Sequence, residues 1–291
     1  MNVVRMAKFC SYNINIGGRL VAIERPQVMG ILNVTPDSFY SGSRCGVDEA
    51  VIRRRVRQMI EEGADMIDIG GYSSRRGADD ISPEEEYSRL RTGLKIIAEE
   101  APGVITSVDT FRAEVARRCV EECGAHIIND ISGGDLDSNM FATVASLRVP
   151  YILMHMRGTP ATMTQLTNYE CVTADVIKDL QAKACKLRLL GVNDIIIDPG
   201  FGFSKTVEQN YELMRYLEAF IDMDFPLLVG ISRKSMIHRL LGTTPEEALN
   251  GTTVLNTIAA LAGAHILRVH DVKAAVETVK IVAATTGAYK Y

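Results

Sequence analysis

Nowhere does the chain hold the roughly 18 consecutive apolar residues that a membrane-spanning helix needs, so no span is expected. Nor is there an excess of basic charge. The 32 Lys and Arg stand against 36 Asp and Glu, for a formal net charge of −4. A general nucleic-acid surface is usually basic, so no nucleic-acid partner is expected, although a local basic pocket for an anionic substrate stays compatible. The cysteines Cys10, Cys45, Cys119, Cys123, Cys171 and Cys185 include no C-x-x-C pair. Cys119 and Cys123 lie one helical turn apart, but no matching pair follows at zinc spacing, so reduced thiols on buried helix faces are expected. The segment Met1 to Asn15 carries little charge and no apolar run of signal-peptide type, which makes a cytoplasmic protein the expectation. No low-complexity stretch or linker divides the chain, so residues 1–291 are read as one domain.

What is present is an ordinary globular mixture, 47% hydrophobic and 23% charged over 291 residues. A chain of this length buries about 75% of the surface that its unfolded form exposes, and a barrel of alternating strands and helices typically takes about 250 residues. Residues 9–25 read as a hairpin, Phe9 to Ile16 and Arg19 to Glu24 around Gly17 and Gly18, placed to plug the bottom of a barrel. The barrel itself is assigned to residues 28–291. Apolar strand-like runs recur at Val28–Val34, Met66–Ile69, Ile105–Val108, His126–Ile131, Tyr151–Met156, Asp194–Ile197, Leu227–Ile231 and His265–Val269. They do not alternate with polar residues, which suits strands buried on both faces. Between them lie amphipathic stretches, among them Val47–Glu62, Pro83–Glu100, Arg112–Cys123, Thr173–Leu190, Val207–Ile221 and Val272–Thr285. Gly63, Gly124 and Gly191 follow three of these as helix C-caps. Eight strand–helix alternations predict an α/β fold, a (β/α)8 barrel with a short N-terminal hairpin, over a doubly wound open sheet.

The polar residues fall in a pattern. Strand one runs into Asn33 and then Thr35-Pro36-Asp37-Ser38-Phe39. Strand two carries Asp68 and ends in Gly70-Gly71-Tyr72-Ser73-Ser74-Arg75. The later strands end at Asp109, Asn129-Asp130, His155, Asp198-Pro199-Gly200, Ser232-Arg233-Lys234-Ser235 and Arg268-Val269-His270-Asp271. An Asp or Asn after a strand is ordinarily a cap or turn former. Eight loaded ends together exceed what capping explains, and in a barrel they meet at one mouth, where such enzymes place their active sites.

The chemistry of the set is complementary. Asp109, Asn129 and Asp198 supply acceptors and an amide, and buried carboxylates need donors. A flat heterocycle with a guanidine-like edge, as in pterins and guanines, offers paired N–H groups that fit a carboxylate bidentately. Lys234, Arg268 and His270 supply positive charge on the last two strands, and Gly70, Gly71, Gly200 and Gly202 permit close backbone approach. The residues therefore point to a planar nitrogen ring on one side and an anionic group on the other. No H-x-H pair opens the barrel, so a tightly bound hydrolase metal is not expected. His155, between Met154 and Met156, reads as a packing or supporting residue. Magnesium arriving with a pyrophosphate fits better, because it binds through one or two protein oxygens plus substrate phosphates.

These segments resemble the dihydropteroate synthase family, in order and without gaps from about Val28 to the C-terminus. The matching runs are Gly30 to Phe39, Asp68-Ile69-Gly70-Gly71 with Ser73 and Arg75, Ser107 to Thr110, Asn129 to Gly133, Met154-His155-Met156, Asp198 to Phe203, Ser232 to Ser235 and Arg268 to Val272. The resemblance implies a TIM-barrel transferase of folate biosynthesis and a sulfonamide target. It would join hydroxymethyl-dihydropterin pyrophosphate to para-aminobenzoate, giving dihydropteroate and pyrophosphate. By the same resemblance, Asp109, Asn129, Asp198 and Lys234 bind pterin, Met154 and Phe203 pack near the ring, and Arg268 stacks on it and touches pyrophosphate. Asn33 and His270 match pyrophosphate contacts, Asn33 being the magnesium contact, with Mg2+ the implied cofactor. Ser73, Ser74, Arg75, Phe203, Lys234 and Ser235 form the para-aminobenzoate side. Thr35, Pro36, Asp37, Ser38 and Phe39 form a mobile loop, and a homodimer built through late barrel helices is implied.

The resemblance further implies that Asp109, Asp198, Lys234 and Arg268 carry the catalytic roles. The family is held to break the C–O bond first, so Asp109 and Asp198 would stabilise a pterin cation and Arg268, His270 and magnesium the departing pyrophosphate. The second loop departs from the family's Gly-Gly-Glu-Ser-Thr-Arg-Pro-Gly: Tyr72 and Arg76 stand in Gly71-Tyr72-Ser73-Ser74-Arg75-Arg76-Gly77. Loss of the proline loosens the loop and is expected to alter para-aminobenzoate or sulfonamide affinity. The alternatives are a pterin-dependent methyltransferase, which lacks the Asn-Val-Thr-Pro-Asp-Ser-Phe loop together with the Ser-Arg-Lys-Ser lysine, and a silent barrel kept for binding a partner.

Overall fold

Two adjacent glycines turn the chain at its start. Gly17 and Gly18 have φ of 56° and 86°, the left-handed pair that a tight two-residue hairpin turn requires. They join β1 (Tyr12–Ile16) to β2 (Arg19–Ile23) as an antiparallel pair, shorter than the sequence suggests at both outer ends. The computed structural model describes residues 9–35, 48–73 and 80–291. Ile14, Ile16 and Ile23 of the hairpin are buried in the main apolar core. The Asn15 amide donates to Asp194 Oδ1 at 3.0 Å, and Cys10 O lies 2.8 Å from His265 Nε2. Asp194 and His265 stand just before strands of the barrel, so the hairpin covers the barrel's N-terminal end.

Eight parallel strands follow: β3 (Gln27–Asn33), β4 (Met66–Gly70), β5 (Ile105–Asp109), β6 (Ile127–Asp130), β7 (Tyr151–Met154), β8 (Ile195–Asp198), β9 (Leu228–Val229) and β10 (Ile266–Val269). Their order is β8-β7-β6-β5-β4-β3-β10-β9. A parallel bridge between Ile197 and Leu227 joins the two ends, which makes the sheet a barrel, as the alternation predicts. Strand seven shrinks from the expected Leu227–Ile231 to two residues because it sits at this closure, where Leu227 bridges backwards to Ile197 and its carbonyl accepts from Ile266 N at 3.1 Å.

The helices are α1 (Glu49–Glu61), α2 (Pro83–Glu100), α3 (Ala113–Cys123), α4 (Met140–Leu147), α5 (Val172–Leu189), α6 (Val207–Arg215), α7 (Glu218–Ile221), α8 (Ser235–Leu241), α9 (Leu249–Leu261) and α10 (Val272–Thr286). Local chemistry explains α2. Ser82 caps it by accepting from Glu85 N, Pro83 occupies its first turn, and Glu84, Glu85 and Glu86 sit where the helix dipole favours negative charge. The expected single helix Val207–Ile221 is interrupted between Arg215 and Glu218. Among the described cysteines the expectation of buried thiols holds for Cys119 alone; Cys10, Cys171 and Cys185 are exposed and Cys123 is intermediate. Cys45 lies outside the described residues.

Candidate active site

Strand register assembles the site. Asn33 pairs with Gly70, Gly70 with Asp109, and Asp109 with Asn129, so four adjacent strands present one row at their carboxyl ends. Met154 and Asp198 are register partners on β7 and β8. Gly70 leaves the middle of the row open: a Cβ there would stand 3.4 Å from Asn33 Oδ1 and 3.7 Å from Asp109 Cβ. The row borders a cavity of about 400 Å³.

Of the sequence-predicted residues, Asn33, Thr35, Ser73, Asp109, Asn129, Met154, Asp198, Phe203, Lys234, Ser235, Arg268 and His270 all line this one cavity. Pro36, Asp37, Ser38, Phe39, Ser74, Arg75 and Arg76 lie outside the described residues. One wall is apolar. Met154, Ile131, Met156 and Met163 form a separate buried cluster with Phe203 against it, a surface suited to the face of a flat ring. Lys234 Nζ lies 4.8 Å from the centre of the Phe203 ring and donates to Phe201 O.

The charged groups are tied together. Arg268 bridges two carboxylates, donating from Nε to Asp68 Oδ2 at 2.6 Å and from Nη2 to Asp109 Oδ2 at 2.8 Å. The same Asp68 oxygen accepts from Asn129 Nδ2 at 3.0 Å. Asp68 is fully buried, and its Oδ1 has no hydrogen-bond partner. Burial pushes the Asp109 pKa up to about 7, against the pull of the Arg268 guanidinium. The Asp109 side chain keeps 22% of its exposure, towards the cavity, so the ion pair with Arg268 retains its ionised form more readily than burial alone allows. Burial also raises Asp198, opposed by Lys234, and Asp198 Oδ1 accepts from Gly200 N at 2.8 Å. Lys234 is lowered to about 8, again by burial first.

Several sequence readings change. Burial and then Arg268, Arg233, Arg55 and Lys234 push the His270 pKa down to about 3, which favours the neutral ring over the cation expected from the sequence; its Nδ1 is 3.1 Å from Ser232 Oγ. Asp130, one of the loaded strand ends, is tied up within the protein. It is buried, accepts from Ser132 N, Ser132 Oγ, Gly134 N and Tyr151 OH at 2.7–2.9 Å, and so shapes its own turn. Asp271 pairs with Arg233 at 2.8 and 2.9 Å. At Gly71 and Gly200 an added Cβ would run into protein backbone, Glu86 O at 2.9 Å and His155 O at 2.0 Å. Asp68 stands out in the sequence only as part of a strand end, yet it anchors Arg268 and Asn129. A carboxylate flanked by Ile67 and Ile69 inside an apolar strand was the signal. Tyr72, the residue that departs from the family pattern, lines the cavity, with its ring 5.0 Å from that of Phe111 and the Arg112 guanidinium 5.1 Å above it.

Carboxylate and amide acceptors, the cations Arg268 and Lys234 set among them, and an apolar wall make a cavity fitted to a flat nitrogen heterocycle bearing an anionic group. Residues 29–270 match the family described as pterin binding enzyme. Fold and site thus define a pterin-binding barrel. The dihydropteroate synthase of Escherichia coli K12 is 42% identical over 275 residues, which cover 93% of this chain and 95% of the relative. The structure of Yersinia pestis dihydropteroate synthase with a sulfonamide drug aligns at a TM-score of 0.89 and 38% identity, over 95% of this chain and 100% of that one. That of Xanthomonas albilineans dihydropteroate synthase with 4-aminobenzoic acid aligns at 0.85 and 37%, over 95% and 98%. This chain belongs to the dihydropteroate synthase family.

Proposed function

We propose that the protein condenses hydroxymethyl-dihydropterin pyrophosphate with para-aminobenzoate, a transferase reaction that releases pyrophosphate and yields dihydropteroate. The convergence of Asp109, Asn129, Asp198, Lys234 and Arg268 on one cavity carries this reading. The family relationship supports it, including a relative that holds 4-aminobenzoic acid. The C–O bond to the pyrophosphate breaks, the arylamine nitrogen bonds the same carbon, and one amine proton is released.

Asp109 and Asp198 hold the N–H edge of the pterin and, when ionised, stabilise positive charge that develops on it as the leaving group departs. Their carboxylates are already oriented by Arg268 and by Gly200 N, so little reorganisation remains for the reaction itself. The apolar wall of Met154, Ile131 and Phe203 covers the ring and excludes water from the carbon under attack. Arg268 and neutral His270 offer donors to the pyrophosphate. Ser73, Lys234 and Ser235 face the arylamine end, with Tyr72 as its aromatic side.

Asn33 is assigned as the protein ligand of magnesium. Its side-chain oxygen lies at the cavity edge beside Gly70. One amide oxygen fits a hard cation that keeps water and phosphate oxygens as its other ligands. When bound, the ion would neutralise charge on the leaving pyrophosphate. A homodimer and a cytoplasmic location complete the proposal. Exposed Val254 and Ile258 on α9 and Ile281 on α10 supply an apolar face for the dimer. No helix among the described residues is long and apolar enough to cross a membrane.

The test is pyrophosphate release by the purified protein. Release should need both substrates, with dihydropteroate forming in equal amount. Release without the arylamine, or none with both substrates, would count against the proposal.

A further inference from the structure

We propose that Lys205, which lies behind the cavity wall, is a positioning residue that sets Asp198 and Phe203 through the backbone of the turn between β8 and α6. The proposal rests on the reading of Asp198 as a pterin-holding carboxylate.

That turn is unusual in its backbone. Gly200 and Gly202 have φ of 70° and 80°, and Ser204 has φ of 46°. A left-handed conformation at a residue with a Cβ costs on the order of 1 kcal/mol and persists only where its surroundings hold it. Gly200 also passes close to β7: a Cβ on it would lie 2.0 Å from His155 O. The segment therefore needs fixed partners on its inner side.

Lys205 supplies them. Its Nζ lies 3.0 Å from Gly200 O, 3.0 Å from Phe203 O and 3.0 Å from His155 Nδ1. Burial lowers its pKa to about 7, so up to neutrality it is an ammonium with three donors and no acceptor, and these three contacts use all it has. Nδ1 of His155 is then an acceptor, which leaves the ring neutral with its proton on Nε2. His155 is buried, and burial followed by the charge of Lys205 holds its pKa far below the ordinary range.

Each backbone contact leads into the site. Gly200 takes Lys205 on its carbonyl and gives its N–H to Asp198 Oδ1 at 2.8 Å. A rotation of that one residue would move the carboxylate's partner. Phe203 takes Lys205 on its carbonyl and turns its ring to the cavity, against Lys234. Asn210 holds the intervening Gly202 from the α6 side, accepting from its N–H at 2.6 Å. Lysine meets three acceptors converging on one point; arginine spreads its donors in a plane and does not.

Lys205→Met keeps the length of the stem and removes every donor. In the folded variant the dissociation constant for 6-hydroxymethylpterin, measured by equilibrium binding, is expected to rise about tenfold or more, the scale of one mis-set charge-assisted hydrogen bond. A merely structural lysine would lower the melting temperature and leave the constant of the folded fraction unchanged, and that result would overturn the proposal. Should the Met variant not fold, Lys205→Arg decides. It retains the charge and should show a smaller rise; wild-type affinity in it would overturn the proposal equally. Failure of the unmodified protein to bind the pterin would instead strike the functional reading.

Discussion

Replacing Asp68 by Asn changes one charge in the barrel interior and tests how the cavity floor is held. Asp68 accepts from Arg268 Nε at 2.6 Å and from Asn129 Nδ2 at 3.0 Å through the same oxygen. An amide oxygen can still take both bonds, but the ion pair with Arg268 falls to a bond from a charged donor to a neutral oxygen, a loss of at most about 1.5–3 kcal/mol. The new NH2 would occupy the place of Oδ1, which is buried without a partner. An unsatisfied buried donor costs about 1–3 kcal/mol. Arg268 retains Asp109 at 2.8 Å and recovers part of this. A net loss of about 2–4 kcal/mol is therefore expected, a large share of the roughly 5–15 kcal/mol that holds a domain together. At about 2 °C per kcal/mol for a chain of this size, the melting temperature should fall by about 4–8 °C. Arg268 would then lean on Asp109 and compete with the pterin for it, so pterin affinity should fall about tenfold. Calorimetric melting and equilibrium pterin binding measure the two effects. A melting temperature within about 1 °C of the parent, or a lowered one with unchanged pterin affinity, would refute the reasoning.

Asp198→Asn should weaken pterin binding by roughly tenfold to a hundredfold, the equivalent of one charge-assisted contact; near-normal affinity in titration calorimetry contradicts the pocket assignment. The pH dependence has a definite sign. Asp109 acts when ionised, above about 7, and Lys234 when protonated, below about 8. The profile of kcat/KM for the pterin substrate should therefore rise through the first value and fall through the second. A profile flat across both values would exclude these groups. Chelation of magnesium should abolish pyrophosphate release, and adding the ion back should restore it; full activity in excess chelator would remove Asn33 from its assigned role. Ile258→Glu on α9 should shift the sedimentation of the protein from dimer to monomer, and an unchanged coefficient would place the interface elsewhere.

Much of this arrangement is legible in the sequence because barrels place chemistry at strand ends. Pro83–Glu100 is a helix at both expected boundaries, because Ser82, Pro83 and three glutamates mark its start. The row Asn33, Asp109, Asn129 is legible as loaded ends, but the register that aligns it is a property of pairing between distant strands. The sequence pattern does not single out helix α9. Its Asn250-Gly251-Thr252-Thr253 opening has poor helix propensity, which tertiary packing overrides, while Thr252, Thr253 and Thr257 turn their hydroxyls back to carbonyls four residues earlier. The lowered pKa of His270 comes first from its burial and then from Arg268, Arg233, Arg55 and Lys234 coming together from different segments, and no local pattern encodes that. Asp68 and Lys205 do their work from behind the cavity. Spacing alone marks residues that reach a mouth better than residues that hold them there.

The most direct measurement is a crystal structure of the protein with 6-hydroxymethylpterin and pyrophosphate. The ring should lie against Met154 with its N–H edge on Asp109, Asn129 and Asp198, and the pyrophosphate beside Arg268 and His270. A pterin seated anywhere else, or one whose N–H edge turns away from both carboxylates, would contradict the reading at its centre.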